Sequence, residues 1–258
     1  MKIENCAQDQ RINNLVKKYN ILLFYKKLVE ELNIAYPETD FSGFSKPELH
    51  KLINEIIIEN FKGEQIYKYS LFKYFSQKPD VIGAFEMNVN SSRVDFIAIN
   101  GVSSSFEIKS SLDNLNKLNK QTEDYLKIFE YNYLFIDNQH LEKALTLLPE
   151  SFGIWLFKNG EFFEYKVAKY NKRISSKFQL DNLTKRELNH FFNQNDGDKE
   201  KILAKFKKDE INERFKKAIK TRYLRRWEFI QNNKEQILPI DIQFFFQTPI
   251  NPKTIYSY

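Results

Sequence analysis

Between Val81 and Ile136 the spacing of apolar residues changes period twice, and this limits the fold more than any other feature of the chain. VIGAFEMNV, RVDFIAIN and SSSFEIKS alternate apolar and polar positions, the two-residue period of strands packed on one face. SLDNLNKLNKQTEDYLKIFEY then carries Leu112, Leu115, Leu118, Tyr125, Ile128 and Phe129 at helical spacing, with Ser110 or Ser111 placed to cap the helix. YNYLFI, at 131–136, returns to a strand. A strand that rejoins a sheet after a helix needs a crossover, so the segment predicts an α/β core with a mixed sheet.

The flanks read as helical. Ile12, Leu15, Val16, Tyr19, Leu22 and Leu23 give one amphipathic helix over 9–33, and Ser45, Pro47 and Glu48 read as a capping box opening a second, with Leu49, Leu52, Ile53, Ile56 and Phe61 facing the core. A third helix is expected over Glu64–Gln77, ended by Lys78, Pro79 and Asp80. FGIWLFKNGEFFEYKV reads as a hairpin turning at Asn159 and Gly160, and LTKRELNHFF and the run from Lys199 to Gln236 read as helices. The expected organisation is a helical N-terminal region (1–80), an α/β core (81–170) and a basic helical C-terminal region (171–258).

Composition narrows the class. Hydrophobic residues are 42% of the 258 and charged residues 29%, with 7 Gly and 7 Pro, which is globular rather than low-complexity composition. Cys6 is the single cysteine, so no disulfide framework or multi-cysteine zinc cluster is available, and with neither a leader pattern nor a long apolar run the expectation is a cytoplasmic protein. The net charge of +6 is concentrated: 12 Lys or Arg face 4 Asp or Glu between Lys199 and Arg226. Such a segment attracts a polyanion, DNA ahead of a membrane surface. Phe206, Phe215, Tyr223 and Trp227 are interleaved with it, much of that aromatic content being expected in the core.

Two acids stand out in the strand region, Asp95 and Glu107. A tight two-residue turn at Asn100 and Gly101 would set Asp95 opposite Phe106 and split the apolar rows between faces. A three-residue loop or bulge pairs Val94 with Ile108, Phe96 with Phe106 and Asp95 with Glu107, so burial selects that register. Facing carboxylates repel. A divalent cation, Mg²⁺ or Mn²⁺, would offset the repulsion, with Lys109 on the same face as Glu107 to orient water.

This arrangement resembles the PD-(D/E)XK nuclease superfamily, a restriction-endonuclease-like core with an acid on one strand and acid-x-lysine on the next. Asp95 matches the first acid and Glu107, Ile108 and Lys109 the second motif, which implies metal ligation by Asp95, Glu107 and the Ile108 carbonyl. Gln121 and Tyr125 look like the Q-x-x-x-Y signature of the RecB-like branch. From about Val81 to Gly160 the chain is also similar to a bacterial family of small predicted nucleases with an EIKSD motif. Here that line reads EIKSSLDNLNKLNKQTEDY, so Ser111 replaces the family's acid while Asp113 is retained. Glu86 matches a glutamate of that family and is ranked as the third acid ahead of Glu59 and Glu55 on the preceding helix. The resemblance implies a Mg²⁺-dependent deoxyribonuclease, in a setting of phage defence or mobile-element conflict.

A second E-x-K, Glu164 to Lys166, has no acid on its partner strand and reads as a half-exposed edge. His50, His140 and His190 lack ligand spacing, and no phosphate-binding glycine loop occurs. Gln121 also fits plain helix surface, and Tyr125 a core position. The competing classes are a non-catalytic nucleic-acid-binding module with this fold, and an interaction subunit whose N-terminal helices bind a partner protein or a second copy.

Overall fold

The computed structural model describes residues 2–60, 63–158, 161–193 and 197–257, with side chains from Gln10 onward. Cys6, Phe61 and the Asn159–Gly160 turn therefore lie outside the described side chains. The elements in chain order are α1 (Lys2–Lys18), α2 (Tyr25–Ala35), α3 (Lys46–Asn60), α4 (Glu64–Phe75), β1 (Ile82–Val89), β2 (Ser92–Asn100), β3 (Val102–Lys109), α5 (Leu118–Leu126) and β4 (Tyr131–Asp137). They continue with α6 (Leu141–Leu147), β5 (Gly153–Lys158), β6 (Glu161–Lys166), α7 (Ser176–Asp181), α8 (Lys185–Phe192), α9 (Lys199–Lys205), α10 (Lys208–Asn232), α11 (Ile242–Gln247) and α12 (Pro252–Ser257). The chain divides into two compact units, one of residues 1–69 and 229–258, the other of residues 70–228. This differs from three consecutive segments, because most of α10 packs with the sheet.

The helical unit holds a core of Leu15, Leu28, Leu32, Leu49, Ile53 and Ile57. The single helix expected over 9–33 is two: α1 ends at Lys18, and Asn20 makes a turn in which its Oδ1 accepts from the Leu22 amide at 2.8 Å. At the start of α3 the expected reciprocal box is one-sided. Glu48 Oε2 accepts from both the Ser45 amide (2.7 Å) and the Ser45 hydroxyl (2.6 Å), so this hydroxyl donates to the glutamate rather than capping the helix.

The second unit is a six-stranded mixed sheet in the order β1-β2-β3-β4-β5-β6. β1 to β3 are antiparallel neighbours, β4 joins β3 and β5 joins β4 in parallel, and β6 closes the sheet antiparallel. Each parallel step follows a helix, as crossover geometry requires. One face is aromatic. Phe96, Phe106, Tyr133 and Trp155 occupy neighbouring strands, with Phe106 stacked on Tyr133 at 4.9 Å, and Phe75 of α4 and Trp227 of α10 lie on them. The other face carries Leu134, Ile136, Ile154 and Leu156, covered by Leu115, Leu118 and Ala144. β6 is an edge strand with Glu164 exposed, as its pattern suggested.

Two helices are shorter than their spacing implies. α5 begins at Leu118, because Ser110–Asp113 forms a turn in which Asp113 Oδ2 accepts from the Ser110 amide (2.8 Å) and hydroxyl (2.6 Å). Leu112, expected in the core, is 63% exposed. The charged run after 198 breaks between α9 and α10. α10 is fixed by buried polar groups: Glu130 accepts from the Ser103 amide (2.6 Å), Asn212 Nδ2 (2.8 Å) and Lys216 Nζ (3.1 Å), and Lys216 also donates to the Gly101 carbonyl. Phe215 and Trp227 are fully buried, as their type suggested.

Gly83 faces that tryptophan. A β-carbon there would stand 2.5 Å from Trp227 Cζ3 and 2.7 Å from Phe96 Cζ, inside van der Waals distance of two rings that have nowhere to move. Gly83→Ala is therefore expected to lower stability by about 1–3 kcal/mol. Urea unfolding followed by tryptophan fluorescence measures it; an unchanged midpoint would contradict this packing.

Candidate active site

The site residues come from three adjacent strands at one level. Phe96 pairs with Phe106, the register expected from burial, and Gly101 at φ 69 makes the turn between paired Asn100 and Val102. The ladder stops at the Phe96–Phe106 pair. The expected Val94–Ile108 and Asp95–Glu107 pairs are not formed, because Asp95 Oδ2 itself accepts the Ile108 amide at 2.7 Å in place of a strand carbonyl. On the other side of β2, Phe85 pairs with Phe96 and Met87 with Val94, while the pair between them, Glu86 and Asp95, is skipped. Glu86 has φ 58, a left-handed conformation that costs a non-glycine residue about 1–3 kcal/mol.

Glu86, Asp95 and Glu107 thus share one face in a row across β1, β2 and β3. Glu86 and Asp95 carboxylate oxygens lie within 4.8 Å of one another, and Glu86 is ion-paired with Arg93. The oxygens of all three acids do not converge to that distance. Glu107, 1% exposed, is held separately: Oε1 accepts from Lys109 Nζ and Gln121 Nε2, both at 2.5 Å, and Oε2 from the Tyr125 hydroxyl at 2.5 Å. The same hydroxyl lies 2.9 Å from the Arg93 carbonyl. Tyr125 is fully buried, so it fills a core position while bonding Glu107. The Ile108 side chain is buried and its amide is engaged with Asp95. Glu55 and Glu59, the helical alternatives, are on α3 in the other unit.

Burial raises the Glu107 carboxyl above its ordinary range, against the opposing pull of Lys109, Tyr125 and Gln121. Burial also disfavours the Lys109 charge, but Glu107 outweighs it and keeps the ammonium protonated above the usual lysine range, with Asp95 adding to the effect. The Tyr125 phenol is driven far above its normal value by burial, then by Glu107 and Asp95, and remains a neutral donor.

Some participants carried no sequence signal. Arg93 precedes Asp95 by two positions, but nothing in its type announced the ion pair with Glu86. Ser91 and Ser92 tie the β1–β2 turn to α5 by donating to Asp124 Oδ2 at 3.1 and 2.7 Å. His140 Nε2 lies 2.9 Å from the Ser110 carbonyl and Gln139 Nε2 donates to that of Ser111 at 2.5 Å, so the residues after β4 hold the loop that follows Lys109.

A family model described as bacteriophage P4 protein cII matches residues 58–245, which include every residue of this row and its partners. The chain belongs to the bacteriophage P4 cII family. Curated protein sequences give no match. Among solved structures, the SPO1766 protein of unknown function from Silicibacter pomeroyi is similar at 15% identity and a TM-score of 0.33, over 44% of this chain and 76% of that one. In the cII family member described here, no helix among the described residues is long and apolar enough to cross a membrane.

Because the folded-state pKa of Glu107 is raised, its contribution to stability is complete below the unfolded value and is lost as pH rises through the folded one. Glu107→Gln removes that loss while keeping the side-chain shape. Its unfolding temperature relative to wild type should be highest at pH 8 and fall towards pH 5, measured in metal-free buffer by calorimetry. A difference that grows towards acid would reverse the assignment.

Proposed function

We propose that this chain is a divalent-metal-dependent nuclease that hydrolyses DNA phosphodiester bonds on a PD-(D/E)XK-type core. The observation that carries the reading is the acid row with Lys109 on the same face, set where strand pairing is interrupted on both sides of β2. The sequence match of Asp95, Glu107, Lys109, Gln121 and Tyr125 to the superfamily motifs supports it independently. Membership in a family named for a bacteriophage protein supports a role in phage defence or mobile-element conflict.

The donors fit Mg²⁺ or Mn²⁺. These ions take hard oxygen ligands, and the Glu86 and Asp95 carboxylates bring oxygens close enough together to face one ion. Asp95 and Glu86 would hold the ion, Glu107 would join after a side-chain rotation away from Lys109 and Gln121, and the Ile108 carbonyl is the further ligand the motif suggests. When bound, the ion supplies charge stabilisation at the scissile phosphate and acidifies water. Lys109 orients the attacking water, and its raised pKa makes it a proton donor and positioning group rather than the base. Gln121 and Tyr125 fix the Glu107 carboxylate. Exposed cations of the C-terminal segment, such as Lys205, Lys207 and Lys217, suit phosphate contacts that give affinity without sequence preference.

One observation favours the competing module. Glu107 is buried and already has three protein donors, a satisfied network that serves a purely structural role equally well. The assay separates the two. Purified full-length protein is incubated with supercoiled and linear DNA in Mg²⁺, Mn²⁺ or EDTA, beside Asp95→Asn and Lys109→Ala. Metal-dependent cleavage reduced by about 100-fold or more in each variant is expected. Intact DNA throughout, bound equally by wild type and variants, would replace the nuclease with a binding module.

A further inference from the structure

The helical unit contains a carboxylate unrelated to the acid row. Asp241, 5% exposed, receives three hydrogen bonds: Tyr256 hydroxyl at 3.0 Å, Tyr19 hydroxyl at 3.1 Å and Asn54 Nδ2 at 3.3 Å. All three end on Oδ2. Among the described residues no donor reaches Oδ1, and no Lys or Arg is paired with this aspartate. Asp241 lines a pocket of about 210 Å³ with Val16, Tyr19, Ile57, Gln65 and Phe244.

The charge of this group has no internal counterpart. His50 is linked to this group through Tyr19, its Nδ1 lying 2.9 Å from the Tyr19 hydroxyl. Burial and then Lys46 lower its pKa to about 4, so it is neutral near pH 7 and supplies no positive charge. Burial and Asp241 keep the Tyr19 and Tyr256 phenols protonated, as neutral donors. Burial raises Asp241 itself to about 6, which leaves it mostly ionised at pH 7.5. A buried carboxylate without a cation is unfavourable even when hydrogen-bonded. A staple between segments would account for Oδ2, since Asn54 also accepts the Ile240 amide at 3.0 Å and Tyr256 the Leu238 amide at 3.1 Å. It does not account for the second oxygen or for the cavity.

We infer that this pocket binds a short aliphatic primary amine as its ammonium ion, with Asp241 Oδ1 as the counter-charge and Val16, Ile57 and Phe244 around the alkyl chain. Its volume is below the roughly 300–1,000 Å³ of sites for drug-sized ligands, which excludes a nucleotide. Mg²⁺ is a poor occupant because it demands near-octahedral oxygen coordination, and Asp241 is the one carboxylate in this lining. The Tyr19 and Phe244 rings are compatible with a cation, which aromatic faces attract.

The test is calorimetric titration of the full chain at pH 7.5, without DNA or metal, using n-butylamine, 1-butanol and butyrate as probes of one size and three charges. Butylamine should bind at least about tenfold more tightly than butanol, and butyrate should not bind. Asp241→Asn removes the charge, and Val16→Phe fills the pocket while leaving Asp241 intact; each should weaken butylamine binding by about tenfold or more with the circular dichroism spectrum unchanged. If Asp241→Asn does not fold, Val16→Phe decides. Equal binding of amine and alcohol, undiminished binding in the folded variants, or no heat from butylamine would overturn the inference. Nα-acetyl-lysine amide offers the same ammonium on a protein side chain. Tighter binding of that probe than of butylamine would overturn the free amine as the occupant.

Discussion

The second unit is organised around a carboxylate that water does not reach. Glu107 sits near the C-terminal end of a central strand, 1% exposed, and its oxygens are bonded from its own strand by Lys109 and from α5 by Gln121 and Tyr125. Tyr125 also reaches the Arg93 carbonyl, so a single phenol ties the helix to two strands. In a low-dielectric setting such a network is strong when complete and costly when broken. It sets the depth at which α5 rests on the sheet. It also orients Lys109, whose side chain is 12% exposed and whose ammonium is ion-paired with Glu107.

The same economy governs the basic C-terminal segment. Its formal charge suggests an open cationic face, yet Lys216 is spent internally on Glu130 and the Gly101 carbonyl, and Arg222 on Glu187 at 2.7 and 2.5 Å. Lys199 and Lys201 are paired with Asp181 and Asp198. Surface pairs of that kind are weak and yield readily to a phosphate, whereas the buried Lys216 pair does not. The positive surface available to a polyanion is therefore smaller than the count implies and is centred on the α9–α10 junction and the outer side of α10.

How much could be read from the sequence depends on what each signal encodes. Alternation over 81–109 marks the strands and leads to the Phe96–Phe106 pairing, although both faces are covered and Ile97 and Ile99, on the face opposite Phe96, are buried as well. Helical spacing is weaker evidence. Leu112, Leu115 and Leu118 satisfy the period, but Asp113 captures the Ser110 amide and hydroxyl and turns the chain, which delays α5 and leaves Leu112 in solvent. Asn20 interrupts the first helix in the same way. Short polar side chains that bond their own backbone compete with helices locally, and a pattern of apolar residues does not register them. The spacing of Asp95, Glu107, Lys109, Gln121 and Tyr125 was visible; the engagement of Glu107 was not, since it depends on side-chain rotamers. The Tyr19–Asp241 bond joins residues 222 apart and leaves no trace in local sequence.

The breaks in the sheet explain why three acids can stand in a row. Side chains directly opposite on antiparallel strands have β-carbons about 4.5–5.5 Å apart, and like charges there are destabilising. β2 avoids this on both sides at one level. Towards β3, the ladder ends and the Asp95 carboxylate takes the Ile108 amide that a strand carbonyl would otherwise hold, so its charge is partly neutralised by a donor. Towards β1, the Glu86 backbone turns left-handed, the pair is skipped, and Glu86 meets Arg93. Asp95 is consequently both a ladder element and an acid of the row, which makes alanine a poor probe of its chemistry: Asp95→Ala would strand the Ile108 amide, whereas Asn retains an acceptor. A sheet selected for stability alone would replace Glu86 with a residue that pairs and Asp95 with Thr or Val. The strain falls at the one level where the three acids share a face, the kind of place where backbone strain is stored at functional sites.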